Sequence, residues 1–399
     1  VTRAAGPALL LDDPPVAALL ALLNPPGEET RIVGGALRNA LLGLPVADID
    51  FATTLPPPQT MRRAAAAGWQ AVPTGIEHGT VTLVHAGRAF EVTTLRADID
   101  TDGRRATVRF GRDFREDAAR RDFTINALSM GPDGVLHDYF GGRDDLAAAR
   151  VRFIGDPDQR IREDYLRALR LLRFSAAYGG GRLDAEGFAA VLRNRAGLAR
   201  LSRERVRQEL LKLLAAPHAG AVLAAAEAEG LIAELIGTAT DPARFARAVA
   251  LAAETGVTLG AIARLAALCG GAAGNWQARL RLSNAEIATL RAFGTALAAP
   301  DGAPRLLAYR HGAQAAEALV LRVATGRDGA DGLAERLVEA AQPAPRFRIT
   351  GADLLAAGLA PGPEIGRMLA EIEAGWIAAG LPDSLPAQRA LLEARLAAG

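Results

Sequence analysis

Gly34-Gly35-Ala36-Leu37-Arg38-Asn39-Ala40-Leu41-Leu42-Gly43, followed by Asp48-Ile49-Asp50-Phe51-Ala52, is the stretch from which the fold of this 399-residue chain can be read. Arg31-Ile32-Val33 is a short β-like run into the glycine pair. Ala36–Leu42 reads as a helix that stops at Gly43, and Asp48–Ala52 alternates polar and apolar with the period of a strand. Working outward, Pro58–Ala67 reads as a helix stopped by Gly68. Thr80–His85 and Arg88–Leu95 read as two strands joined across Ala86-Gly87. Ala97–Asp113 is polar and poor in core residues and is expected to be a mobile loop. After Asp156-Pro157 the texture turns helical. Ile161–Phe174 and Arg203–Leu214 are strongly periodic, and Ala/Leu-rich helical segments broken by Gly and Pro run from Pro217 to the end. The expected fold class is α+β: a small mixed-sheet head over 1–150, then an all-helical neck over 151–215 and an all-helical body and tail over 216–399.

Composition narrows the class. Half the residues are hydrophobic and 23% are charged, an ordinary globular balance that excludes a disordered or collagen-like chain. No apolar run approaches the roughly 18 residues of a membrane span, and Val1-Thr2-Arg3, without a long apolar stretch, is not expected to open a secretory leader. The single cysteine, Cys269, excludes an intrachain disulfide and a cysteine metal cluster. A cytoplasmic protein is expected, with no membrane association and no protein partner implied. Net charge is only +1, yet residues 101–215 hold 23 basic against 17 acidic side chains and the remainder is net negative. A basic middle between acidic ends is compatible with a polyanion bound centrally, chance segregation being the competing reading.

Asp48 and Asp50, two apart on a strand, face the same side. Two such carboxylates repel unless a cation neutralises them. Hard divalent Mg²⁺ takes one or two carboxylates and completes its shell with phosphates and water. Gly34 and Gly35 ahead of a helix leave backbone N–H groups open to a phosphate, and Arg38 can add a charge-assisted bond. Together these parts suit nucleotidyl transfer, in which a metal activates a hydroxyl and cations stabilise departing pyrophosphate. Alone, a glycine pair is an ordinary turn and Asp-x-Asp an ordinary solvated face. Their union within 17 residues carries the argument.

Gly34–Phe51 resembles the signature of the nucleotidyltransferase superfamily in its tRNA nucleotidyltransferase/poly(A) polymerase branch, and more closely that of the bacterial-type (class II) CCA-adding enzymes. Further segments carry the resemblance in order: Arg120-Arg121-Asp122-Phe123-Thr124, Asp138-Tyr139-Phe140-Gly141-Gly142 before Asp145-Leu146, Glu163-Asp164-Tyr165-Leu166-Arg167 through Phe174, and Leu201-Ser202-Arg203-Glu204-Arg205 with Glu209-Leu210. It is dense over 31–215, with a fainter echo at Ile349–Leu354 and Pro361-Gly362-Pro363. One departure stands out: Asn39 occupies a position that is usually Asp in the family, which puts a local ion pair in doubt.

The resemblance implies addition of CMP, CMP and then AMP to the 3′ end of tRNA, from CTP and ATP, with Mg²⁺ at Asp48 and Asp50 and pyrophosphate released. It makes Asp164 and Arg167 a protein template for the incoming base, with Arg170 and Arg173 as further nucleotide contacts and Arg121 on the triphosphate. The chemistry suits that choice. Cytosine and adenine each present an amine donor beside a ring-nitrogen acceptor, and guanine and uracil present the reverse. A carboxylate beside a guanidinium therefore complements C and A, and leaves groups unpaired against G and U. Asp164, Arg167, Arg170 and Arg173 recur every third residue, so neighbours in the series lie on adjoining helix faces. The plain alternative is an exposed helix with Asp–Arg pairs. Glu91 is a candidate third carboxylate on a neighbouring strand. His137-Asp138 is expected to be structural, and Trp69, Trp276 and Trp376 to be core. The rivals are a poly(A) polymerase, an A-only or CC-only enzyme of the same family and, from another class, a catalytically inactive RNA-binding protein. Retention of both Asp48 and Asp50 argues against the last.

Overall fold

The computed structural model describes residues 6–98, 108–271, 274–300 and 302–397. Two compact units divide the chain: Val1–Leu201 with Ala216–Val222, and Ser202–Ala215 with Leu223–Gly399.

In the first unit, α1 (Pro14–Leu23) leads into β1 (Thr30–Val33), α2 (Gly35–Leu41), β2 (Asp50–Thr53) and α3 (Pro57–Ala66). Then follow β3 (Gln70–Gly75), β4 (Thr80–His85) and β5 (Arg88–Thr94), with Ala86 and Gly87 both at positive φ in the tight turn between the last two. The pair β6 (Arg96–Asp98) and β7 (Val108–Phe110) precedes α4 (Phe114–Ala119), and β8 (Ser129–Met130) and β9 (Leu136–His137) complete the strands. Seven strands form one sheet in the order β3-β4-β5-β2-β1-β8-β9. Only β2 and β5 run parallel, so the sheet is mixed, as expected.

Alternation sorts the sheet into two faces. Ile32, Phe51, Leu83 and Val92 turn to one side and pack with Leu19 and Leu20 of α1 and Leu37 of α2. Burial of each such side chain is worth about 1.5–3 kcal/mol. The other side carries a smaller patch, Val33, Ala52, Leu95 and Phe114, and leaves room for polar groups.

Two expectations need correction here. Strand pairing starts at Asp50, not Asp48, because Val33↔Asp50 is the first register pair that β1 offers β2. Asp48 and Ile49 are unpaired, although they keep the exposed-buried alternation. The segment expected to be a loop, Ala97–Asp113, instead contributes residues 97–98 and 108–110 to a small antiparallel sheet, with Arg96 opposite Phe110 and Asp98 opposite Val108. Its centre, 99–107, lies outside the described residues.

The first unit continues through α5 (Gly142–Ala147), α6 (Pro157–Glu163), α7 (Leu166–Tyr178) and α8 (Ala185–Arg193). The second unit has no strand among its described residues. It opens with α9 (Arg203–Ala215). Near its end, Ile349, Leu354, Met368, Ile372 and Leu392 form one apolar cluster, and Leu306, Trp376 and Leu381 another. Trp69, Trp276 and Trp376 are all buried, in line with their reading as core. Arg322 is 1% exposed and is held by two bonds to Asp328, at 2.9 and 2.7 Å. Among the described residues no helix is long and apolar enough to cross a membrane.

Candidate active site

The glycine turn comes first. Gly34 ends β1 with φ 71° and ψ −127°, a conformation that side chains other than hydrogen rarely adopt. A Cβ there would lie 2.9 Å from Nη1 of Arg121. The turn thus lets Arg121 lie against the backbone. Arg121 is held by Asp117 at 3.2 Å and by the Asn126 carbonyl at 3.3 Å.

The carboxylates come from the sheet. In the parallel pair β2·β5, Phe51 stands beside Val92 on the core face. Asp50 and Glu91, one residue earlier on each strand, therefore share the opposite face. Burial pushes the Asp50 carboxyl above the ordinary carboxylate range, Glu91 and Asp48 push it the same way, and Arg121 opposes them. Asp48 is exposed in the unpaired segment before β2 and lines one cavity together with Asp50.

Two cavities meet at Asp50. One, of about 510 Å³, is lined by Asp50, Glu91, Thr93, Arg121, Glu163 and Arg167 among others. The other, of about 240 Å³, is lined by Gly35, Arg38, Asn39, Asp48 and Asp50 together with apolar neighbours. The structure therefore brings Asp50, Glu91, Arg121 and Arg167 to one cavity and Gly35, Arg38, Asp48 and Asp50 to the next. Gly34 borders the first through Arg121. Asp164, Arg170 and Arg173 line neither.

The Arg38 guanidinium, at the smaller cavity, is also bonded within the protein. Its Nη1 donates to Asn126 Oδ1 at 2.6 Å, its Nε and Nη2 to Asn39 Oδ1 at 3.2 and 2.9 Å, and Nη2 also to the Tyr178 hydroxyl at 2.9 Å. It is 7% exposed and lies 4.0 Å over the Tyr178 ring. These bonds take four of its five N–H donors and tie α2 to α7, while Arg38 still lines the smaller cavity with Asp48 and Asp50. Asn39 replaces the family's usual acid with a neutral acceptor for the same arginine.

The expected single helix over Ile161–Phe174 is also corrected. It breaks after Glu163: Asp164 has φ −152° and ψ 106°, outside helical space. Its side chain accepts from the Leu166 N–H at 3.1 Å and its carbonyl from the Arg167 N–H at 2.9 Å. An aspartate competes locally for backbone N–H groups, so it ends one helix and opens the next. Asp164 and Arg167 are still neighbours, but across a turn rather than along a helix face. Arg167 is steadied by Glu163 at 2.6 Å and by the carbonyls of Arg160 and Arg120 at 3.1 and 3.0 Å. Arg170 is bound at 2.6 Å by Asp122, which also accepts from Asn126 at 2.9 Å. Arg173 lies 4.1 Å over the Phe174 ring.

Arg120, Arg160, Glu163 and Asp117 also line the larger cavity. None was singled out from the sequence, although Arg120 and Glu163 stand inside the quoted motifs. Asp138 accepts from the backbone N–H groups of Phe140, Gly142 and Arg143, a capping role that occupies its carboxylate.

Among the described residues, no three His, Cys, Asp or Glu side chains are gathered tightly enough to hold a metal alone. Asp48 and Asp50 facing one cleft, with Asp50 strained by neighbouring negative charge, do fit a hard divalent ion that draws its other ligands from phosphate and water.

The family described as the poly A polymerase head domain matches residues 30–152, and that of the probable RNA and SrmB-binding site of polymerase A matches 182–239. CCA tRNA nucleotidyltransferase 1, mitochondrial, of Homo sapiens is 47% identical over 196 residues, 48% of this chain and 44% of that protein. The CCA-adding enzyme of Geobacillus stearothermophilus is 40% identical over 215 residues, 53% of this chain and 52% of that protein. The chain thus matches about half the length of these curated relatives. The crystal structure of the Bacillus stearothermophilus CCA-adding enzyme in complex with CTP is similar with a TM-score of 0.73 and 29% identity, covering 96% of this chain and 98% of that one. The Thermotoga maritima CCA-adding enzyme complexed with tRNA shares the fold, with a TM-score of 0.72 at 20% identity and 98% coverage of both chains.

Proposed function

We propose that this chain is a member of the tRNA nucleotidyltransferase/poly(A) polymerase family, a reading supported by its similarity to both family descriptions and to the curated relatives, and that it adds CMP, CMP and AMP in turn to the 3′ end of tRNA, using CTP and ATP. The observation that carries this reading is the convergence of Asp50, Glu91, Arg121 and Arg167 on one cavity of about 510 Å³, within the range of small-ligand sites. Relatives named for CCA addition, one of them solved with CTP, support the choice of reaction.

Enzymes of this family generally use a divalent metal, and Mg²⁺ is the ion proposed for Asp48 and Asp50 here. When bound, it favours ionisation of the tRNA 3′-hydroxyl and neutralises charge on the triphosphate. The 3′-oxygen bonds to the α-phosphorus, the bond from that phosphorus to the β-phosphate bridge breaks, and pyrophosphate leaves. No covalent enzyme intermediate is involved. Arg121, braced by Gly34 and Asp117, is placed to bind the triphosphate. Glu91, beside Asp50, is the third carboxylate of the site. Arg167 offers donors to the base and Asp164 an acceptor. Arg170 and Arg173, which do not line the cavity, are assigned further nucleotide contacts. In this reading residues 1–150 are catalytic, 151–215 recognise the base, and 216–399 grip tRNA. The protein is cytoplasmic.

Pyrophosphate release tests the proposal. It should require tRNA acceptor and Mg²⁺, proceed with CTP and ATP, and be negligible with UTP and GTP. Asp48→Ala and Asp50→Ala should each lose at least tenfold in rate, about 1.4 kcal/mol of barrier lowering. Release that survives both substitutions refutes the carboxylate assignment.

A further inference from the structure

The segment from Leu42 to Ile49 delivers Asp48 to the cleft without belonging to any helix or strand. Its position relative to Asp50 therefore depends on what grips it. Asn39, near the end of α2, grips it twice. Its carbonyl accepts from the Leu44 N–H at 2.9 Å, and its side-chain Nδ2 donates to the Pro45 carbonyl at 2.9 Å. Farther along, Ile49 is anchored by burial in the head core. Asp48 thus lies between a hydrogen-bonded anchor at Pro45 and an apolar anchor at Ile49.

The orientation of the Asn39 amide follows from its partners. Arg38 can only donate, so the oxygen must face it; the Pro45 carbonyl can only accept, so the nitrogen must face that. A carboxylate at position 39 could satisfy Arg38 but would set its own oxygen against the Pro45 carbonyl. Only an amide satisfies both partners. Asn39 also lines the same 240 Å³ cleft as Asp48 and Asp50.

We propose that Asn39 is a positioning residue for the divalent-cation site, fixing the Leu44–Ile49 segment so that the Asp48 carboxylate meets Asp50 across the cleft. The proposal rests on the reading of Asp48 and Asp50 as metal carboxylates. It assigns Asn39 no contact with substrate.

Mn²⁺ is a spectroscopically visible probe, and its binding to the full chain without tRNA, followed by electron paramagnetic resonance, needs no turnover. Amide hydrogen exchange across residues 44–49 is measured alongside. Asn39→Asp keeps the acceptor for Arg38 and removes the donor to Pro45; Asn39→Ala removes both. Each should raise the Mn²⁺ dissociation constant about three- to tenfold, the worth of one net hydrogen bond, and speed exchange in the segment. Asp48→Asn should weaken Mn²⁺ binding while leaving exchange unchanged. If Asn39→Asp and Asn39→Ala bind Mn²⁺ as the parent does, the inference is overturned, whether or not exchange changes, and the carboxylate pair survives. If Mn²⁺ binding is indifferent to Asp48→Asn, the carboxylate reading falls and the inference falls with it.

Discussion

Gly34→Ala separates the structural from the functional use of one turn. The backbone at Gly34 has φ 71° and ψ −127°, and holding an alanine in such a region costs about 1–3 kcal/mol. The first unit contains about two hundred residues, for which 1 kcal/mol lowers the melting midpoint by roughly 2–4 °C. A fall of about 2–12 °C is therefore predicted. The added methyl also meets Arg121 Nη1 at 2.9 Å. That group is the far end of a flexible side chain, so it moves at little steric cost. In moving it loses its 3.2 Å bond to Asp117 and its 3.3 Å bond to the Asn126 carbonyl. If Arg121 binds triphosphate, kcat/KM for CTP should fall about tenfold, or about 1.4 kcal/mol. Gly68→Ala is the control. Its φ is 79° with nothing within 4 Å of the new Cβ, and it lies outside the segment that carries Asp48, so it should lose stability and keep kcat/KM. Because both changes act through Arg121, Gly34→Ala and Arg121→Ala should be less than additive in combination. A Gly34→Ala protein that melts lower yet retains full kcat/KM, or is additive with Arg121→Ala, would refute the placement of Arg121 in the site.

Asp50 carries a pH prediction. Its folded carboxyl titrates above its unfolded value, so the native state favours the proton, and ionisation costs stability at pH above the folded pKa; that cost disappears as pH falls through it. Asp50→Asn should therefore raise the melting midpoint in chelator at neutral pH, show no gain in acid, and abolish turnover; an unchanged midpoint at neutral pH contradicts the electrostatics. Asp328 has the opposite sign. Its bond to Arg322, then the Arg336 charge, hold its carboxyl below the ordinary range. Its contribution is present above the unfolded pKa of about 3.9 and lost as pH falls through the folded value. Asp328→Ala should cost about 3 kcal/mol at neutral pH by leaving Arg322 buried and unpaired, and denaturant titration of the two proteins should converge in acid. Arg167→Ala should slow C and A addition together, whereas Asp164→Ala should relax discrimination against UTP and GTP by about tenfold; unchanged ratios among the four nucleotides would return Asp164 to a helix cap and nothing more.

What the sequence reveals and conceals follows from the range of the interactions. The β4–β5 hairpin is legible because alternation and a glycine turn are local signals, and the paired strands match the expected spans within one residue. The side on which Asp48 and Asp50 fall is legible for the same reason. Where pairing begins is not, since that is decided by β1 across the sheet. Apolar periodicity runs without a break through Ile161–Phe174, so the interruption at Asp164 is invisible to it; the break comes from one side-chain oxygen taking the Leu166 N–H. Arg38 shows the limit most plainly. As a charge beside a glycine turn it suggests phosphate, and nothing local announces that its guanidinium is also met by Asn126 and Tyr178, 88 and 140 residues away. Arg120, Arg160 and Glu163 belong to the cavity only because α4, α6 and the strands converge there, and no spacing along the chain expresses that.

The central claim is that the side chains of this protein, without a nucleic-acid template, direct the addition of C, C and A in that order to tRNA. Sequencing the 3′ ends of tRNA that begins without its terminal CCA, after incubation with the full chain, Mg²⁺ and all four NTPs together, addresses it directly. The account predicts one product, extended by CCA and stopped there, with neither U nor G incorporated. Tracts of A would establish a poly(A) polymerase, termini ending in CC or in a lone A would establish a partial enzyme of the same family, and unextended tRNA would contradict the account altogether.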